Sequence, residues 1–540
     1  MQKKRMFQLF AGALVLSLVA AACGGDGNGG GSGSGDGKAG GSAIAELGEP
    51  DGLAPHLCGT TSCSEPANRI FDSLLEYDWK TAKVVTTGAA TSYEVSPDGT
   101  KITYQLRKGA TFHNGEPVDA ASFIRSLTLT ASKDAASDVA YHLGGIKGFK
   151  DLNEGTAKDF PGVKQGKDEY ELILELDQPN AEFFVRTGHM VFAPIPKVAL
   201  AADGTFNKDY NEAPIGNGPY MVDGTWQHNV SLKLKKYADY NGPVKGFLDT
   251  IEFKIFEKLE TAFLEFQGGT LDTTPVTPDQ FDAAEAQYGD AFIEQATAVL
   301  TYLLANNAKA PTNNADFRRA LSLAIDREEI VKAVFSNRRI PAKSIVPPAS
   351  PGHRPDACKY CTFDLDKAKE FLQKAGGPKN INLSFNSGAG HEEWTAAVAS
   401  QLEKNLGVKA QLIGKTPFGD YIKYLDTDEW GGGLGRLGWA QDYPTPDNWL
   451  FPLLHSQSGD NHSKYKNPEF DKTIEESQRT LDAKQRLALQ QKAEDIALED
   501  MGFIPMFYGK SARVFNKDKF ASFPLELQSG NPAWEEVSIK

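Results

Sequence analysis

Between Ile381 and Trp439 the apolar pattern changes period four times: a strand, a helix, a strand, a helix and a strand, with Gly407 closing the first helix. Strands that alternate with helices are joined by crossovers, and crossovers connect parallel neighbours. This one stretch therefore predicts an α/β lobe with a largely parallel sheet. Two helical stripes precede it, Phe317-Ala320-Leu321-Ala324-Ile325 and Ala368-Phe371-Leu372-Ala375. Two further helices from Pro468 to Asp500 and a strand from Phe503 to Phe507 close the same lobe.

Upstream the text is strand-like. A Ser96-Pro97-Asp98-Gly99 turn leads into Ile102, Tyr104 and Leu106 on one face. Tyr170, Leu172, Leu174 and Leu176 alternate with Glu169, Glu171 and Glu175, and Val230-Leu232-Leu234 and Ile251-Phe253-Ile255 repeat the period. A chain of 540 residues allows about three or four domains, so a cleft between lobes is within reach. The formal charge of −14 argues against nucleic acid, because phosphate binding needs a basic face.

Residues 1–22 have the form of a secretory lipoprotein signal. Lys3, Lys4 and Arg5 precede an apolar stretch from Phe7 to Ala22, too short to span a bilayer comfortably at roughly 20 residues. It ends in Val19-Ala20-Ala21-Ala22-Cys23, which resembles a lipobox whose cysteine receives a diacylglycerol; a plain cleavage site after Ala22 is the alternative. Residues 23–42 are then a lipidated cysteine and a tether rich in glycine and serine, a composition that cannot bury enough surface to fold. Without residues 1–22, 54 basic residues face 71 acidic ones, a charge of −17. The expected location is extracytoplasmic, lipid-anchored to the outer face of the cell membrane. No stretch after Cys23 is apolar for long enough to cross a bilayer.

Four other cysteines, Cys58, Cys63, Cys358 and Cys361, allow three disulfide pairings. The local pairs Cys58–Cys63 and Cys358–Cys361 are the expectation; Cys358-x-x-Cys361 could also be a redox centre or half a zinc site. No Walker loop, Gly-x-Ser-x-Gly, dinucleotide fingerprint or His-Glu-x-x-His occurs, and His391-Glu392-Glu393-Trp394 lacks the second histidine. Neither a metal nor a cofactor is expected, and a secreted hydrolase is a distant alternative.

Six blocks remain: Ser96 through Leu106-Arg107-Lys108-Gly109 to Val118, Pro214-Ile215-Gly216-Asn217-Gly218-Pro219-Tyr220, Phe317 to Arg327, Leu406-Gly407-Val408, Gly438-Trp439-Ala440-Gln441-Asp442-Tyr443-Pro444, and Tyr465 to Asp471. Together, and in this order, they resemble family 5 of the bacterial extracellular solute-binding proteins, the oligopeptide- and dipeptide-binding lipoproteins of ABC importers. The resemblance implies an α/β fold of the periplasmic-binding-protein-like type II: two lobes joined by hinge strands, with an extra subdomain in the first. Lobe I would be 43–75, 198–300 and 507–540, the inserted subdomain 76–197, and lobe II 301–506. It implies a monomer that binds an oligopeptide and hands it to ABC permease subunits, with no catalysis. The same fold carrying a metal chelate, an oligosaccharide or a peptide-like antibiotic is the alternative.

A short peptide is a zwitterion, so a receptor indifferent to side chains grips its two termini and its backbone. The resemblance assigns the ligand's ammonium to Asp442, its carboxylate to Arg436 and an aromatic wall to Trp439. Tyr302 falls at the crossing into the second lobe, where family members present a tyrosine to the peptide, His391 follows Asn386 by five residues as in some oligopeptide binders, and Tyr141 is a further candidate from the inserted subdomain. Six residue steps lead from Arg436 to Asp442, about 20 Å when fully extended; a turn at Gly438 would shorten that. Trp430-Gly431-Gly432-Gly433-Leu434-Gly435 replaces the family's usual strand, which points to a wide or mobile pocket floor. The loop from Pro55 to Pro66 borders the site. Asp428 and Glu429, if they face the cleft, would favour cationic ligand residues or a longer peptide.

Overall fold

Several helices of the second half begin where a side chain can satisfy their free N–H groups. Asn314 caps Ala315–Leu323, Asp364 caps Leu365–Lys374, Asn467 caps Pro468–Arg479 and Asp482 caps Ala483–Asp500. The computed structural model describes residues 37–277, 280–416, 418–427 and 429–540. The signal at 1–22, Cys23 and Asp428 lie outside the described residues. The folded body is under way by Lys38, whose N–H donates to the Ile539 carbonyl at 2.9 Å, and Ser42 already opens a strand. Within the segment expected to be a tether, the backbone N–H groups of Lys38 and Gly40 find partners at Ile539 and Phe247.

Strands Asn380–Asn386, Lys409–Lys415 and Leu434–Ala440 alternate with helices Glu392–Leu406 and Phe418–Asp426, and their pairings are parallel. Beyond them the expectation of a largely parallel sheet fails. Leu434–Ala440 pairs antiparallel with Phe292–Ala305, which pairs antiparallel with Phe503–Phe515. These two strands, of 14 and 13 residues, carry the chain in opposite directions between the halves of the molecule, so they are antiparallel to each other. The sheet continues through Thr273–Pro275, Ser42–Leu47, Thr250–Ile255, Ser231–Lys236 and Tyr220–Val222, giving eleven strands with Ile340–Pro341 at the side. Val230 is exposed: its N–H closes a turn on Gln227, one residue before the strand it was expected to begin.

Among the described residues four apolar clusters fill this frame. One lies beneath the βα units and takes in Leu300 to Ala305, Phe317, Leu321, Trp394, Trp449 and Phe503 to Tyr508. A second joins Ala43, Ala45 and Leu47 to Leu232, Phe253 and Trp534. A third runs from Leu74 to Phe192, where helix Ala120–Ala131 lays Phe123 and Leu127 on a four-stranded antiparallel sheet carrying Ile102, Tyr104, Leu172 and Leu174. A small fourth cluster holds Phe263, Phe281, Ala512 and Val514. The two long strands thus enter more than one core. Their register breaks between Ala296–Lys510 and Leu300–Tyr508, a bulge that weakens the ladder at the point where the strands pass from one core to the next.

Cys58–Cys63 and Cys358–Cys361 are bonded locally, each with Cα atoms 5.4 Å apart. Most of the Pro55–Pro66 segment is helical rather than loop, as Pro55–Leu57 and Thr61–Ile70. Among the described residues no helix is long and apolar enough to cross a membrane.

Candidate ligand-binding site

Along Leu434–Ala440 the side chains alternate: Leu437 is buried on one face, while Arg436, Gly438 and Ala440 share the more open one. Gly438 is inside the strand, paired with Thr301, so no turn occurs there. Its bare Cα does something else. A Cβ at Gly438 would sit 3.2 Å from Arg436 Nη2, so the guanidinium lies over the glycine and leans toward the Asp442 end.

Arg436 is held by its neighbours but not neutralised. Its Nη1 donates to Asn386 Oδ1 at 3.1 Å, and Tyr421 fixes its backbone by donating to the Arg436 carbonyl at 2.8 Å. The Nε has no hydrogen-bond partner, and among the described residues no carboxylate lies within ion-pair distance. Burial, with repulsion from Arg339, pushes its pKa down to about 10. His391, just before helix Glu392–Leu406, accepts from Trp394 Nε1 at 3.3 Å. Burial first, and then Arg436, push its pKa down to about 4, so the imidazole is neutral at pH 7. Arg339 adds a smaller repulsion to both residues.

Asp442 stands two residues beyond the strand. Asn448, in the first turn of helix Asp447–Leu454, clamps it from both ends: its Nδ2 donates to Asp442 Oδ2 and its Oδ1 accepts from the Asp442 N–H, each at 3.0 Å. Tyr141 Oη donates to Asp442 Oδ1 at 3.3 Å from the third cluster's region. Burial pushes the Asp442 pKa up to about 6, the hydrogen bonds from Asn448 and Tyr141 opposing it. Next door, Arg186 donates to Tyr443 Oη at 3.3 Å, and Tyr443 donates to Asp447 Oδ2 at 3.1 Å. Asn448 and Arg186 were not legible in the sequence; they act through Asp442 and Tyr443 from other elements.

Two of the six named side chains are engaged by other parts of the protein. Trp439 is on the opposite strand face from Arg436, and its Nε1 donates to Asn448 Oδ1 at 3.2 Å, so it braces the clamp. Tyr302 is 2% exposed, its ring 4.5 Å from that of Phe503, and it belongs to the core under the strand. The structure thus assembles Asp442 with Tyr141, and Arg436 with Asn386, His391 and Arg339.

A cavity of about 700 Å³ opens beside Asp442, bounded by Ala440, Gln441, Tyr141, His142 and Thr60. Arg436 and His391 lie outside its lining. The glycine run is not its floor. A Cβ on Gly432 would meet the Ala310 carbonyl at 1.8 Å, so that glycine serves a close backbone contact before the strand begins. Glu429 is exposed and does not line the cavity. Among the described residues no group of three His, Cys, Asp or Glu side chains is arranged to hold a metal ion.

The chain is 29% identical over 524 residues to the oligopeptide-binding protein OppA of Bacillus subtilis, covering 94% of each chain. It is also 29% identical to the periplasmic oligopeptide-binding protein OppA of Salmonella typhimurium, covering 86% of each. In fold it resembles the unliganded open form of the murein tripeptide-binding protein MppA, with a TM-score of 0.82 at 24% identity, covering 94% of this chain and 99% of that one. The family model described as bacterial extracellular solute-binding proteins, family 5 Middle, matches residues 84–461. The chain belongs to family 5 of the bacterial extracellular solute-binding proteins, a family of binding proteins and not of enzymes.

Proposed function

We propose that this protein is a membrane-anchored receptor that captures an oligopeptide in an interlobe cleft and delivers it to the permease of an ABC importer. The observation that carries the reading is one strand segment bearing both ends of a zwitterion's grip: Arg436, without a carboxylate partner, and Asp442, a carboxylate beside the cavity. The relatives named as oligopeptide-binding proteins support it. In this reading the ligand's ammonium pairs with Asp442 and its carboxylate with Arg436, while His391 and Arg339 add donors and positive field. The lobes would be the early and late segments (to residue 75, 198–300 and 507–540) and 301–506, with 76–197 inserted in the first. Cys23 would carry the lipid, and the protein would act as a monomer.

Closure follows from the same contacts. A ligand that touches both lobes favours the state in which both contacts are made, and can shift the equilibrium only by that difference. The register break near Thr297 to Val299 and its opposite number, Gly509, is the place where the long strands can flex. Burial in the closed state strengthens the terminal ion pairs.

Calorimetry with a free-termini peptide across pH tests this. In the empty cleft Asp442 is charged only above about pH 6, and a peptide amine is charged below about pH 8. Affinity is therefore greatest between those values and falls up to about tenfold per pH unit below 6. Other buried carboxylates titrate nearby, so the slope is read as the difference between wild type and Asp442→Asn. A slope that the substitution leaves unchanged would remove Asp442 from the ammonium role.

A further inference from the structure

The cavity beside Asp442 runs into a recess where carboxylates outnumber their counter-ions. Glu65, Asp72, Glu76, Glu526 and Glu535 line it, and Arg69 is the base among them. Arg69 is already committed: its Nε meets Glu535 Oε1 at 2.6 Å and its Nη2 meets Glu526 Oε1 at 3.2 Å. Lys510, at the rim, is paired with Glu294. Among the described residues Asp72 and Glu76 have no ion-pair partner. Asp72 Oδ2 accepts from Tyr240 at 2.8 Å and Glu76 Oε1 accepts from the Ser73 N–H at 3.0 Å, which leaves the other oxygen of each carboxyl group without a hydrogen bond. Asp72 is 8% exposed. Two carboxyl groups taken out of water without an ion-pair partner weaken a fold: burial pushes the Asp72 pKa up to about 7, with Tyr240 and Arg107 opposing, and burial with repulsion from Asp72 pushes that of Glu76 up as well.

A second observation points to a ligand at the same place. Gln441, 8% exposed and adjacent to Asp442, lines the cavity with neither its amide nitrogen nor its oxygen hydrogen-bonded. His142, 2% exposed and also lining the cavity, has an Nδ1 without a partner. Buried polar atoms are satisfied in nearly all native structures, so unmet atoms around a cavity mark groups that an occupant completes. The walls between them include Trp79, Val85 and Tyr240, apolar surface suited to the stem of a long side chain.

We propose that this recess is a specificity subsite for a cationic side chain, arginine or lysine, at the first or second residue of the bound peptide. The inference rests on the peptide reading above, with the ammonium at Asp442. It places the selective charge on the side of the cleft facing Asp442, and not at Glu429.

The test compares Arg-Ala-Ala and Ala-Arg-Ala with their citrulline isosteres, and with Ala-Ala-Ala, by calorimetry at pH 7. Citrulline keeps the length and shape of arginine but not its charge. At least one arginine peptide is expected to bind tenfold or more tighter than its isostere, and Glu76→Gln is expected to bring that ratio below threefold. If Ala-Ala-Ala binds and the ratio is under tenfold at both positions, this inference falls and the peptide reading stands. If the ratio survives in Glu76→Gln, the cation is held elsewhere and the assignment falls. If no peptide binds, both fall together.

Discussion

Asp442→Asn is expected to weaken binding of free-amine peptides by about 2–5 kcal/mol at pH 7, the usual loss when one partner of a buried charge pair is removed. At 1.4 kcal/mol per factor of ten this is roughly 30-fold to several thousandfold in Kd. The substitution changes the charge and little else. Asparagine keeps the volume, and its side-chain oxygen can still accept from Asn448 or Tyr141. N-acetylated peptides present no ammonium, so their affinity should change by much less. Calorimetry with acetylated and free versions of one peptide measures the difference, and equal losses for both would mean that Asp442 only shapes its turn.

Arg436→Met should have two opposite effects. Peptides with a free carboxylate should lose about 2–5 kcal/mol of affinity relative to their C-terminal amides, by the same argument. The empty protein should not lose stability and should gain up to about 1–2 kcal/mol, because a desolvated guanidinium without a carboxylate partner is replaced by an unbranched apolar chain. Urea unfolding of the ligand-free protein reads the second effect. A residue of structural importance would show the reverse, a large loss of stability and an equal loss for free and amidated peptides.

Local periodicity made most of the fold legible. The βα units between Ile381 and Trp439 announce themselves by their changing apolar period, and Phe317, Ala320 and Leu321 are all fully buried as their stripe required. What the period could not carry was direction. The antiparallel pairings of Phe292–Ala305 arise because two long strands run back between cores, and strand direction leaves no mark on alternation. Val230 shows the usual error at an element's edge: its apolar side chain continues the pattern, but a turn has already fixed its position.

The site was legible where chemistry and neighbourhood coincide in sequence. Arg436 and Asp442 sit on one segment, so a reading of that segment finds both. Trp439 shares the segment but not the face, because a strand sends successive side chains to opposite sides. Tyr302 was drawn from its position at the crossing, yet its ring completes the core against Phe503. Asn448, Arg186 and Arg339 come to the site from other elements, and only the folded structure brings them there. The same is true of Asp72 and Glu76, which look like ordinary surface acids in the sequence and are gathered around a cavity by the fold.

The most direct test of the central claim is native mass spectrometry of the protein purified gently from cells, followed by release of whatever it carries. The account predicts adducts with the masses of short peptides, released intact. A metal chelate, a sugar or cleaved fragments in their place would contradict it.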